Sequence, residues 1–348
     1  MARRGESRKE ILDFIVIGAG KSGTTSLHEY LRTHPAVHVP ADKEQPFFDQ
    51  DVSVANGLAW FLDQEFGDAP IDRLWGKVTP QYLEGAPVPG SRASDASEDI
   101  PPEWIIPRRI HTALPDAKLV AILRDPVDRC VSSYRMGRLR GEETRPFDEV
   151  VDLALQPEAL ELGRHDSWSL SGFVTGGEYA RLLAPYRELF GDQLLIFLTD
   201  DLNRDPRGLL AALFEHLGID ATFVPPNLGT RYREASTKPR VMALRQQHLE
   251  AVLGSSGALR RLHAALPEGL RRRSSGYLRQ VLYRIDLWNR TRETETIDVT
   301  STAIAALRAH YRADTRRLAG LIGKDVPWEW VRSDAETSKG DAVTAVER

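Results

Sequence analysis

The first strongly apolar run of the chain, Asp13-Phe14-Ile15-Val16-Ile17-Gly18, is short, rich in β-branched residues and closed by glycine. Behind it the apolar period changes, with Leu27, Tyr30 and Leu31 falling at helical spacing after Thr25. The pattern predicts strand, turn and helix in that order. Two further runs of strand length, Lys118-Leu119-Val120-Ala121-Ile122-Leu123-Arg124 and Gln193-Leu194-Leu195-Ile196-Phe197-Leu198-Thr199, are flanked by amphipathic segments. Helices are predicted over residues 127–140, 177–190, 206–217, 238–253 and 301–322. Such alternation predicts an α/β fold, a parallel sheet flanked by helices on both faces. Residues 84–102, with their repeated Gly and Pro and the pair Pro101-Pro102, read as a long loop, either a binding segment or a disordered insertion. No internal repeat or second domain boundary is evident. The expectation is a single domain over residues 11–332, with disordered ends at 1–10 and 333–348.

Composition narrows this picture. In 348 residues, 41% hydrophobic content suffices for one large core. The net charge of −4, from 46 basic and 50 acidic residues, argues against a nucleic-acid binder that relies on phosphate neutralisation. Any anion site must therefore be local. The single cysteine, Cys130, excludes an intrachain disulfide framework and a Cys-rich metal site. The run from Ile11 to Ile17 is interrupted by Asp13 and is too short for a signal or membrane segment, so no membrane span and a cytoplasmic location are expected.

The candidate chemistry begins at Gly18-Ala19-Gly20-Lys21-Ser22-Gly23-Thr24-Thr25. A glycine-rich turn between strand and helix exposes backbone N–H groups that no helical carbonyl satisfies, and the helix dipole adds positive potential. Lys21 adds a full charge, Ser22, Thr24 and Thr25 carry hydroxyls, and Gly20 and Gly23 permit close approach. A nucleoside-triphosphate loop would need a glycine at position 15, which is Ile15. A plain tight turn is the other reading.

Downstream motifs extend the comparison. Gly20-Lys21-Ser22-Gly23-Thr24-Thr25-Ser26-Leu27 resembles the 5′-phosphosulfate loop of sulfotransferases that use 3′-phosphoadenosine 5′-phosphosulfate. Lys43-Glu44-Gln45-Pro46-Phe47-Phe48 resembles the Lys-Glu-x-x-Phe-Phe motif of the heparan sulfate type and its bacterial relatives. Arg124-Asp125-Pro126-Val127-Asp128-Arg129-Cys130-Val131-Ser132-Ser133-Tyr134 resembles the family's 3′-phosphate motif. Gly177-Glu178-Tyr179 and the stretch 195–206 follow its later helix, strand and turn pattern. The resemblance implies a P-loop-like fold and sulfuryl transfer by in-line displacement, from 3′-phosphoadenosine 5′-phosphosulfate to a hydroxyl or amine of a glycan, lipid or small-molecule acceptor. It further implies Glu44 as general base and Lys21 as the cation at the leaving oxygen. Lys21, Ser22, Gly23, Thr24 and Thr25 would hold the 5′ side, and Arg124 and Ser132 the 3′-phosphate. No metal is called for. Arg124 also follows an apolar strand, where a parallel sheet forms its ligand crevice, and its guanidinium fork suits phosphate. An ion pair with Asp125 or Asp128 is its alternative role, and Arg129 reads as structural.

One departure stands out. The heparan type carries Lys directly before Ser or Thr, whereas Trp75-Gly76-Lys77-Val78-Thr79-Pro80-Gln81-Tyr82 has Val78 there. In a strand this shift turns Lys77 to the opposite face, leaving Lys43 as the alternative second cation. Glu44 has its own bland reading, a pair with Lys43. The cluster Arg260, Arg261, Arg271, Arg272 and Arg273 reads as a solvated face or an anion clamp, and Ser236 to Arg240 as a late loop without assignable residues. His34 and His38 flank Pro35 without a carboxylate at ligand spacing, and no motif surrounds His111. A kinase or NTPase using Leu194 to Asp200 for magnesium, and an inactive nucleotide-binding scaffold, remain open, as does oligomeric state.

Overall fold

The computed structural model describes residues 11–85, 100–230, 232 and 298–331. The expected helix over 238–253, the segment 236–240, the arginine cluster 260–273, most of the 84–102 loop and both chain ends lie outside these residues. The described residues divide into a main unit holding every strand and a second made of residues 135–144 and 298. The single domain expected from sequence spans both.

The strands are β1 (Phe14–Gly18), β2 (Val37–His38), β3 (Leu74–Val78), β4 (Lys118–Leu123) and β5 (Leu194–Leu198). They form one five-stranded sheet in the order β2-β3-β1-β4-β5, with every neighbouring pair parallel. Every residue of β1 is buried, as expected for a strand covered on both faces. The helices are α1 (Thr24–Leu31), α2 (Asp51–Ala55), α3 (Leu58–Phe66), α4 (Pro102–Ala113), α5 (Pro126–Arg140), α6 (Phe147–Ala154), α7 (Pro157–His165), α8 (Gly172–Thr175), α9 (Tyr179–Phe190), α10 (Thr199–Arg204), α11 (Pro206–Leu217) and α12 (Ser301–Ile322). A 3-10 turn, Pro80–Glu84, follows β3. None of the helices among the described residues is long and apolar enough to cross a membrane.

On one sheet face Phe14, Val16, Val78, Val120 and Ile122 pack with Leu27 and Leu31 of α1 and Leu210, Leu213 and Phe214 of α11. Register determines what each strand can carry. Phe14 lies opposite Gly76, and a Cβ on Gly76 would fall 1.9 Å from the Phe14 ring. Only glycine lets that ring cross β3. Val78 then shares the face of Gly76, and period two turns Lys77 to the other.

The helical layer is tied by polar contacts at the start of α9. Asp314 of α12 accepts hydrogen bonds from Ala180 N–H at 2.9 Å and Arg181 N–H at 3.1 Å, satisfying two first-turn donors. Glu178 is buried and accepts from Arg164 Nε at 3.1 Å and Nη2 at 3.0 Å, and from Arg181 Nε at 2.6 Å. His310 Nε2 of α12 lies 3.2 Å from Glu178 Oε1. Glu178 thus joins α7, α9 and α12, and Arg181 carries the link to α4 through Glu103 at 3.2 Å.

Burial alone would raise the Glu178 pKa, but hydrogen bonding from His310 and Arg164 and the arginine charges bring it down to about 2, against an ordinary 4.5. Its stabilising effect is therefore complete above the ordinary value and is lost as pH falls through the native one. Glu178→Gln is expected to cost roughly 3 kcal/mol at neutral pH and far less near pH 2. Urea unfolding at the two pH values checks this; an equal loss at both would contradict it.

Candidate active site

The turn between β1 and α1 has a backbone that few side chains tolerate. Gly23, the N-cap of α1, is left-handed at φ 103°, and Lys21 sits at φ 67°. A Cβ on Gly18 would fall 2.5 Å from Leu83 Cβ, so the 3-10 turn after β3 packs directly on the end of β1. From the other side the Thr199 hydroxyl, just past β5, donates within reach of both Ser22 O at 2.7 Å and Leu123 O at 3.1 Å. The Ala19 N–H donates to Ile122 O at 2.8 Å. The turn is thus held to β3, β4 and β5 together.

Its hydroxyls are not equivalent. Ser22 is fully buried and faces Gly20 O at 3.4 Å, and Thr24 is buried too. Ser22 therefore closes the turn from within, while Gly20, Lys21, Gly23 and Thr25 keep partial exposure. An anion entering here would meet backbone N–H groups, the Lys21 ammonium and the Thr25 hydroxyl.

Glu44, the other non-glycine residue at positive φ among those described, lies at 69°. Its N–H donates to Val78 O at 3.2 Å, which fixes it to the C-terminal end of β3. Gln81 Nε2 donates to Glu44 Oε2 at 3.3 Å, and Lys43 pairs with Oε1. The pairing with Lys43 anticipated from sequence is thus present. Glu44 nevertheless keeps 31% of its side-chain surface exposed, against 8% for Lys43. The following aromatics anchor the segment: Phe47 stacks on Phe61 at 4.6 Å and Phe48 meets Tyr82 edge-on at 5.7 Å. Asp49, also buried, accepts from Phe47 N–H at 3.0 Å.

Lys77 does not join this group. It is 1% exposed, its Nζ lies 3.3 Å from Glu65 Oε2 of α3, and it sits 5.4 Å from the Phe61 ring centroid. Burial lowers its pKa, with Glu65 opposing. The change of strand face expected from the motif shift is what the structure contains, and no bulge in the β1–β3 register reverses it.

Arg124 follows β4 directly. Its Nη2 donates to Asp128 Oδ2 at 3.1 Å, with a third of the arginine and most of the aspartate exposed. An exposed pair of this kind contributes at most about 1 kcal/mol, so it yields readily to a phosphate. Ser132 lies half-buried on α5. That helix begins under a local cap, Asp125 Oδ1 accepting from Val127 N–H at 2.8 Å and Asp125 Oδ2 from Trp330 Nε1 at 2.7 Å. Arg129 is buried and donates to Phe173 O at 2.5 Å. His111 packs edge-on against Phe190, and His34 packs edge-on against Phe223 and tilted against Phe214. Among the described residues no group of three or more His, Cys, Asp or Glu is placed to hold a metal ion.

Two residues at this sheet edge escaped the sequence reading. Thr199 was detectable only as a hydroxyl at the C-terminal end of a predicted parallel strand. Glu84 had no signal at all. A Cβ placed on Gly20 would lie 3.2 Å from Glu84 Oε1. Burial raises the Glu84 pKa to about 7, with Arg129 opposing and Glu44 and Asp49 adding to the rise.

The sequence model of the Sulfotransferase family matches residues 13–223. Heparan sulfate glucosamine 3-O-sulfotransferase 3A1 of Mus musculus is 28% identical over 218 residues, 62% of this chain and 47% of that protein. Heparan sulfate glucosamine 3-O-sulfotransferase 6 of the same species is 31% identical over 220 residues, 62% of this chain and 54% of that protein. The chain spans about half the length of these curated relatives. A crystal structure of a sulfotransferase from Alicyclobacillus acidocaldarius shares the fold, with TM-score 0.59 and 21% identity over 92% of this chain and 98% of the other.

Lys77 provides a test of the geometry. Lys77→Met leaves Glu65 without its cation and is expected to cost about 3 to 5 kcal/mol in urea unfolding, most of it recovered when Glu65→Gln is added. Additive losses in the double variant would contradict the pairing.

Proposed function

This chain belongs to the sulfotransferase family, and on that premise we propose that it moves the sulfuryl group of 3′-phosphoadenosine 5′-phosphosulfate to a hydroxyl or amine of a glycan, lipid or small-molecule acceptor. The observation that carries the reading is the strand order. Along β3-β1-β4, Glu44 is docked by its backbone on the end of β3, the glycine turn with Lys21 follows β1, and Arg124 follows β4. In a parallel sheet that edge is the ligand crevice.

The residues divide the work of an in-line displacement. Glu44 accepts the proton of the acceptor group as its oxygen or nitrogen attacks sulfur. Lys21 and the backbone N–H groups of the turn oppose the negative charge that builds on the departing 5′-phosphate oxygen. Thr25 adds a hydroxyl donor on the same side, and Ser22, Gly23 and Thr24 act through the shape of the turn. Arg124, released from Asp128, holds the 3′-phosphate with a fork that fixes orientation, and Ser132 adds a hydroxyl from α5. Lys43, held on Glu44, takes the place of the second cation in this account. It orients the Glu44 carboxylate. The matched relatives are named for transfer to glucosamine of heparan sulfate, so a sugar hydroxyl is the first acceptor class to try.

Single substitutions separate binding from chemistry. Lys21→Ala and Arg124→Ala are each expected to weaken binding of 3′-phosphoadenosine 5′-phosphate by about 10- to 100-fold in calorimetry, the effect of removing a charge-assisted contact. Glu44→Gln is expected to leave that binding within about twofold while lowering transfer by about 10²-fold or more. Undiminished turnover in Glu44→Gln would show that another group is the base.

A further inference from the structure

Glu84 has no task in the displacement just described, yet it occupies a demanding position. It ends the 3-10 turn after β3, and its carboxyl oxygen Oε1 lies 3.2 Å from the place a Cβ on Gly20 would take, at the middle of the anion turn. A side chain at Gly20 would crowd the carboxyl and make it give by a few tenths of an ångström. The charged groups facing it are Arg129 from α5 and Glu44 and Asp49 from the segment after β2, and Lys21 neighbours Gly20 in the turn. Arg129, whose Nη2 donates to Phe173 O, opposes the rise in the Glu84 pKa. Lys21 and Arg129 balance Glu44 and Asp49, so it is burial that makes the surroundings of Glu84 unfavourable to a further negative charge.

An ionised carboxyl beside Gly20 would repel a phosphate or phosphosulfate bound in the turn. A protonated one has an O–H to donate to it. We propose that Glu84 is a proton-carrying hydrogen-bond donor of the anion site, so that binding of the nucleotide is coupled to uptake of one proton by its carboxyl. This rests on the phosphosulfate reading of the turn and deepens it, because the turn then recognises its anion with one neutral acid as well as Lys21 and backbone N–H groups. Burial, which raises the Glu84 pKa to about 7, sets the expected window. Coupling is weak below that value, where the proton is already in place, and grows above it as bulk pH removes the proton that binding restores.

The test is calorimetric titration of the full chain and of Glu84→Gln with 3′-phosphoadenosine 5′-phosphate between about pH 7 and 9, in paired buffers of different ionisation heat. The wild-type affinity is expected to fall toward about tenfold per pH unit at the alkaline end, with close to one proton taken up. Glu84→Gln, which keeps a neutral donor at every pH, is expected to show no such fall and to bind about tenfold or more tighter than wild type near pH 9. A wild-type affinity that stays level, or an equal slope in Glu84→Gln, overturns the inference while leaving the nucleotide site in place. Absence of wild-type binding at every pH removes the phosphosulfate reading and this inference with it.

Discussion

A residue other than glycine held in the left-handed region costs on the order of 1 kcal/mol or more, and persists only where its surroundings leave no alternative. Among the described residues two bear this cost, Lys21 and Glu44, and the rest of the site depends on their being held. For Lys21 the constraint comes from three strands. Leu83 packs over Gly18, the Ala19 N–H is bonded to β4, and the Thr199 hydroxyl bridges the Ser22 and Leu123 carbonyls. For Glu44 it comes from the bond to Val78 O and from the Phe47 and Phe48 anchors behind it. Both residues are placed by backbone geometry before any ligand arrives, which is the preorganisation that electrostatic catalysis requires.

The charge around the site fits a protein with no overall basic character. Lys21, Arg124 and Arg129 stand near Glu44, Glu84 and Asp49, so the anion site is made by aiming a few cations and N–H dipoles within a nearly balanced cluster. Each cation has a different hold. Arg124 is tied weakly to an exposed aspartate, whereas Arg129 is buried, held on the Phe173 carbonyl, and serves the architecture. Lys77, fully buried against Glu65, belongs to the support beneath β3.

The parts of this arrangement legible in the sequence are those written in local periodicity. The β1-turn-α1 unit, β4, β5, α9, α11 and α12 all follow from apolar runs and helical spacing. The turning away of Lys77 follows from period two, and the contact of Gly76 with the Phe14 ring explains why a glycine precedes it. The two-residue β2 and the short α2, α3 and α8 lack enough turns or alternations for a period to register. Ser22 and Thr24 are buried while Thr25 is partly exposed, a difference that sequence does not show because it does not distinguish the inside of a turn from its mouth. Glu84 and Thr199 were invisible for a related reason: each reaches the turn from a strand end remote in sequence, and only the parallel packing of β3 beside β1 and of β5 beyond β4 brings them there.

The central claim is that the turn, with Arg124 beside it, is built for a nucleotide carrying a 3′-phosphate and a 5′-phosphosulfate rather than for a triphosphate. Calorimetry of the wild-type chain with 3′-phosphoadenosine 5′-phosphate, and separately with ATP and magnesium, tests it most directly. The account predicts tighter binding of the bisphosphate by about tenfold or more, the order expected for one well-placed charge-assisted phosphate contact. Equal or tighter binding of ATP with magnesium, accompanied by its turnover, would contradict it.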